Sequence, residues 1–129
     1  MTTPDELERQ HTLATAASRY DQLRMRDALA AMDDDDRTLT LPESLELLAL
    51  SEVVIRKAGY GRQAMVRAAR AAGASWTQIG AALGTSKQAA WEAHTRWIED
   101  QARQHEQSGY EGLDPGQVGQ ARGLAGRPD

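Results

Sequence analysis

Three times the chain spells the start of a helix in the same way. Thr3 is followed by Glu6, Thr40 by Glu43 and Ser75 by Gln78. In each pair a hydroxyl oxygen can accept from a backbone N–H that the first helical turn leaves open, and the acid or amide three residues on can return the bond. Pro4 and Pro42 fall in the first turn of the first two helices, where proline's missing N–H is no loss. Alanine, arginine and leucine abound and there is no phenylalanine, a balance that favours helices over sheets. The fold class predicted is all-α: a helical bundle.

A chain of 129 residues can bury one modest core. It has no cysteine, so neither disulfides nor thiolate metal sites stabilise it, and packing must do so. "MTTPDELERQ" lacks the basic start and apolar run of a signal peptide, and no apolar stretch approaches the roughly 18 residues of a membrane span. A cytoplasmic protein is therefore expected.

The first helix is expected over about 4–32, with Leu13, Ala16, Ala17, Tyr20 and Leu23 as its apolar stripe. Asp33 to Asp36 stack negative charge where the helix dipole is already negative and should end it. The second helix is expected over 42–58. Leu45, Leu48, Ala49 and Ile55 share one of its sides, and Leu47, Leu50, Val54 and Ala58 the other. A helix apolar on two faces is usually covered on both, here by the first helix on one side and by the following basic block or a second subunit on the other. A homodimer through 42–58 is the expectation, although an intramolecular bundle would hide the same surface.

"GYG" at 59–61 breaks or kinks that helix, and "RQAMVRAARAAG" then sets Arg62, Arg67 and Arg70 against Ala64, Met65, Ala68, Ala71 and Ala72. The tail from 107 to 129 is glycine-rich and expected to be flexible and disordered. Its glycines at 109, 112, 116, 119, 123 and 126 are spaced to align on one helical face, but Pro115 and low helix propensity speak against a helix there. The organisation expected is an acidic N-terminal helix (1–37), a helical core (38–106) and the tail (107–129).

The net charge of −4 hides a segregation. Residues 1–55 hold twelve acids and five bases, whereas 56–97 hold seven bases and the single acid Glu92. Local field governs encounter with phosphate, because screening at physiological salt acts over roughly 8 Å.

Inside the basic block lies "SWTQIGAALGTSKQAAWEAH". A short helix over 76–83 should end at Gly84 in the left-handed conformation, and a second helix should start at once, capped by Thr85 or by Ser86. Gly80 and Ala81 permit close approach, and Ile79, Leu83, Ala90 and Ala93 supply the shared apolar contact. Two short helices crossing at a tight glycine turn can set the second into a DNA major groove. "AAGASWTQIGAALGTSKQAAWEAHTRW" resembles the helix-turn-helix of small actinobacterial DNA-binding proteins related to sigma-factor region 4, usually worded close to "GASWxxIGxALGVSRQAAxxRF". The likeness covers about residues 70 to 98. Thr85 stands where valine is usual and Trp97 where phenylalanine is. The resemblance implies a three-helix DNA-binding core, with Thr77 and Gln78 near phosphate and Ser86, Lys87, Gln88 and Trp91 facing the groove.

Those roles also make chemical sense from the side chains alone. Lys87 can donate to guanine or phosphate, Gln88 can pair with adenine, and Trp91 offers an apolar surface to a thymine methyl. Arg62, Arg67, Arg70 and Arg96 are candidates to contact phosphate. Trp91 also shares a helical face with Ile98, which leaves core packing open for it; Trp76 and Trp97 read as core. A solvated arginine face is the plain alternative for the basic block.

"GYGRQA" matches a dinucleotide fingerprint but follows no strand, and the aspartate run lacks the glycine and glutamate of a calcium loop. The histidines have no ligand-like spacing, and nothing suggests an enzyme or a cofactor. The expected function is a sequence-specific transcriptional regulator acting on double-stranded DNA through a recognition helix at about 86–97. The rival is a protein-interaction module, an adaptor or antagonist of RNA polymerase, that keeps the helix-turn-helix as a scaffold and presents its acidic N-terminal half.

Overall fold

The structure, a computed structural model, describes residues 2–33 and 38–128. It is all-helical, with no strand among the described residues. The helices are α1 (Pro4–Gln10), α2 (Leu13–Asp33), α3 (Leu41–Tyr60), α4 (Arg62–Ala71), α5 (Trp76–Leu83), α6 (Lys87–Ser108) and α7 (Pro115–Ala125). None is long and apolar enough to cross a membrane. Beyond Asp33, the last residue of α2, the aspartate run lies outside the described residues. Residues 1–61 and 62–129 form two compact units, each with its own apolar cluster rather than one shared core. Helical geometry persists through Gly59, and the break falls at Gly61.

The N-terminal unit corrects the expectation of one unbroken helix over 4–32. His11 leaves helical geometry, with φ −119° and ψ 146°. Thr12 and Thr15 then start a new helix reciprocally: Thr15 N donates to Thr12 Oγ1 at 3.2 Å and Thr12 N to Thr15 Oγ1 at 3.0 Å. The broken arm runs antiparallel to α3, as Arg26 pairs with Glu43, Arg19 with Glu46 and Arg56 with Asp5. Leu7, Ala16, Leu23, Ala49, Leu50 and Val53 are buried between the arms. Arg26 and the Thr40 backbone N–H hold the Glu43 carboxyl down to about 2. One face of α3 is covered in this way. Its other leucine face, through Leu41, Leu45, Leu48 and Ile55, is exposed.

In the C-terminal unit Val66, Trp76, Ile79, Ala90, Ile98, Val118, Ala121 and Ala125 make the core. The last three belong to α7, so most of the segment expected to be disordered is helical and packed. The sequence signal was present. Asp114 and Gln117 form a reciprocal capping box at 2.8 and 3.0 Å, and Pro115 occupies the first turn, where it starts a helix rather than breaking one. Val118, Ala121 and Ala125 fall at steps of three and four on the inner face, while Gly116, Gly119 and Gly123 are exposed. The other glycines punctuate: Gly109 ends α6 at φ 80°, and Gly112, at φ 71°, passes so close to Gln101 O that a Cβ would lie 2.1 Å from it.

Candidate nucleic-acid interface

Ser75 Oγ accepts from Gln78 N at 3.1 Å, and Gln78 Oε1 accepts from Ser75 N at 2.9 Å, which fixes the start of α5. Gly84 ends it in the left-handed region, at φ 73°. The cap of α6 is Ser86, whose Oγ accepts from Ala89 N at 3.0 Å. Thr85 is thus not the cap, and Gln88 is released from capping. Its Nε2 donates instead to Glu92 Oε1 at 2.9 Å on the exposed side of α6.

Gly80 makes the tight approach possible. A Cβ there would sit 2.8 Å from Thr85 O and 2.9 Å from the Ser86 carbonyl carbon, so the turn lies against α5 backbone to backbone. Ile79 and Ala90 are buried at the crossing as expected, whereas Leu83 and Ala93 are exposed. Ala81 is exposed too, so the close approach belongs to Gly80 alone.

Ser86, Lys87 and Gln88 are all exposed on the first turn of α6, and Thr77 and Gln78 on the first turn of α5. Gln88, Glu92 and Arg96 follow at steps of four along the outer side of α6, opposite the buried Ala90, His94 and Ile98. Glu92 is the residue that reasoning from cations missed. Its signal was the spacing from Gln88, which places a carboxylate acceptor beside the amide.

Trp91, left open between groove and core, is half-buried against the apolar cluster, and its indole N–H donates to Gly126 O at 2.7 Å. Trp76, only 2% exposed, donates likewise to Ala125 O at 2.7 Å. The two indoles therefore satisfy carbonyls at the end of α7, which a helix terminus leaves open.

The expected arrangement of α4 needs correction at Arg70. Its Nε donates to Leu124 O at 3.0 Å and its Nη1 to Ala74 O at 2.9 Å, and the guanidinium lies 5.2 Å from the Trp76 ring centroid. Arg70 shares the inner side of α4 with Val66, while Ala64, Met65, Ala68, Ala71 and Ala72 are exposed. Alanines gain little from burial, whereas the long Arg70 stem packs on indole and its head reaches carbonyls. Arg62 and Arg96 are exposed and Arg67 is half-buried.

Sequence reasoning gave His94 no role, yet it is 1% exposed. It stacks on Trp97 at 5.4 Å between centroids and tilts against Trp76 at 5.6 Å, and its Nδ1 lies 2.9 Å from the acceptor Gln63 Oε1 on α4. Burial first, then the charges of Arg67 and Arg70, push its pKa down and keep the imidazole neutral.

The electrostatics are more local than the sequence block implied. Arg56 belongs to the N-terminal unit, where Asp5, Glu8 and Glu52 surround it. Residues 62–129 carry eight bases and seven acids, and the acids gather after Glu92. The cations Arg62, Arg67, Lys87 and Arg96 thus occupy the α4–α6 part of a nearly neutral unit. No family model, no curated protein and no solved structure matches the chain.

Proposed function

We propose that residues 62–129 bind duplex DNA as a helix-turn-helix unit and that the protein is a sequence-specific transcriptional regulator. The observation that carries this reading is the junction of α5 and α6: a left-handed Gly84, a Ser86 cap and the backbone-to-backbone approach at Gly80 leave the first turn of α6 projecting with its polar side chains free of the core. That is the geometry a recognition helix needs to enter a major groove.

In this reading Ser86, Lys87 and Gln88 meet base edges, with Gln88 oriented by Glu92 and able to exchange that bond for adenine. Thr77, Gln78, Arg62, Arg67 and Arg96 hold phosphate. Trp91, tethered to Gly126, contributes at most the exposed part of its ring, and Arg70 acts by fixing the end of α7.

Binding of a labelled duplex measured across salt concentrations tests the proposal. Each phosphate contact contributes about −0.9 to the slope of log affinity against log salt, so Arg62→Ala and Arg96→Ala should each flatten it by about that amount. A folded protein that binds no duplex would contradict the proposal.

The near balance of acids and bases in the unit favours a second reading, in which the helix-turn-helix is a scaffold, the acidic N-terminal half contacts a protein such as RNA polymerase, and DNA affinity is weak. Under that reading, binding to a polymerase subunit survives both substitutions.

A further inference from the structure

The exposed face of α3 has a period of its own. Positions 41, 45, 48, 52, 55 and 59 alternate steps of four and three and hold Leu, Leu, Leu, Glu, Ile and Gly. This is the seam of a helix that packs along another helix. Leu41, Leu45, Leu48 and Ile55 are 73%, 52%, 66% and 68% exposed, although the opposite face of α3 is already buried against α1 and α2. A hairpin can cover only one seam of each arm, so the second is complete in sequence and open in structure.

We propose that this seam pairs with the same seam of a second copy, two hairpins joining through their α3 helices about a two-fold axis. The residues flanking the seam say which partner fits. In coiled pairs, charges at the flanks select the partner. Here Ser44, Ser51 and Ala58 flank one side and Ala49 the other, all small and uncharged. The charged flank residue Arg56 is held inside the unit, with Nη1 2.9 Å from Asp5 and Nε 3.1 Å from Glu52. Nothing along the seam selects a charged stranger, and nothing repels an identical copy. Glu52, the acid within the seam, is paired by that same Arg56 contact. An antiparallel pair centred between Leu45 and Leu48 sets each of these leucines of one copy against the other leucine of the second.

The area sets the strength. In this register Leu41, Leu45 and Leu48 of each copy are covered, while Ile55 passes beyond the start of the second copy's α3. Covering the three leucines withdraws on the order of 200 Å² of apolar surface per copy, which is below the usual size of a specific interface. The pair should therefore be weak, forming at roughly tens to hundreds of micromolar. This inference concerns the N-terminal unit and stands apart from the DNA-binding reading.

Sedimentation equilibrium of the full chain from about 1 to about 300 µM, a range that reaches such affinities, tests it. The mass should rise from 14.1 kDa towards twice that value. The variant Leu45→Gln/Leu48→Gln should stay monomeric with unchanged helical circular dichroism, and Met25→Gln/Leu29→Gln, on the outer face of α2, should dimerise like the parent. Because the chain has no cysteine, mixing Leu45→Cys with Leu48→Cys chains gives a readout that survives any loss of stability. They should cross-link on mild oxidation, and Met25→Cys chains should not. A parent monomeric throughout, a dimer lost only in the α2 variant, or cross-linking confined to Met25→Cys would each overturn the proposal.

Discussion

At the scale of single residues, Gly80 decides whether α5 and α6 can meet. Any Cβ there drives into the Thr85 carbonyl and the Ser86 backbone, and backbone cannot swing aside as a side chain can. Gly80→Ala should therefore destabilise the C-terminal unit by about 1–3 kcal/mol, read as a lower urea midpoint by tryptophan fluorescence, whereas Ala81→Gly, on the exposed side, should change it by no more than about 1 kcal/mol. His94 makes a second prediction. Its folded pKa lies below the ordinary value because of burial and then the charges of Arg67 and Arg70. Between that folded pKa and about 6.5 the unfolded chain binds the proton and the folded chain does not, so stability falls as pH drops through this window and is level above it. The urea midpoint should be lower at about pH 5 than at about pH 8, and His94→Gln should remove this part of the difference.

At the scale of elements, the helix starts were largely legible, and the packing faces were legible in the N-terminal unit, where Ala16, Tyr20 and Leu23 of α2 and Leu47, Leu50 and Val54 of α3 pack as expected, but not in the C-terminal one. Thr3, Thr40 and Ser75 cap where their spacing predicts, with the reciprocal bond of a capping box closed at Thr40 and Ser75 and only the one-way cap at Thr3, because a cap is a local device that needs nothing from the rest of the chain. The break before α2 is hard to read in the sequence because two threonines stand in for the usual acid or amide. In α7 the aligned glycines mark the exposed face, while Val118, Ala121 and Ala125 are too small to announce a core by hydrophobicity alone. Arg70 shows the same limit from the other side, since a cation on an alanine-rich helix looks solvated until the carbonyls that it bonds are brought beside it. The consequence for α7 is measurable. Val118→Asp buries an unpaired charge and should undock the helix, freeing both indole N–H groups and shifting tryptophan emission to longer wavelength; an unchanged spectrum and urea midpoint would mean that α7 is not part of the core.

At the scale of the whole molecule, the chain divides its charge between its two units. Residues 1–61 hold twelve acids and seven bases, and residues 62–129 seven acids and eight bases. On the proposed DNA-binding reading, local cations of the C-terminal unit, rather than total charge, draw DNA in, and at physiological salt their reach is roughly 8 Å. Such a unit gains little non-specific affinity, so discrimination has to come from base contacts. Gln88→Ala should cost about 1–3 kcal/mol on a preferred site and relax preference at one base pair, while leaving affinity for unrelated duplexes nearly unchanged. The most direct test of the DNA-binding claim is selection of bound duplexes from a randomised pool at about physiological salt, where screening removes most sequence-independent attraction. The account predicts enrichment of a defined motif whose recovery depends on Lys87 and Gln88. A pool that stays random, with the protein folded throughout, would contradict it.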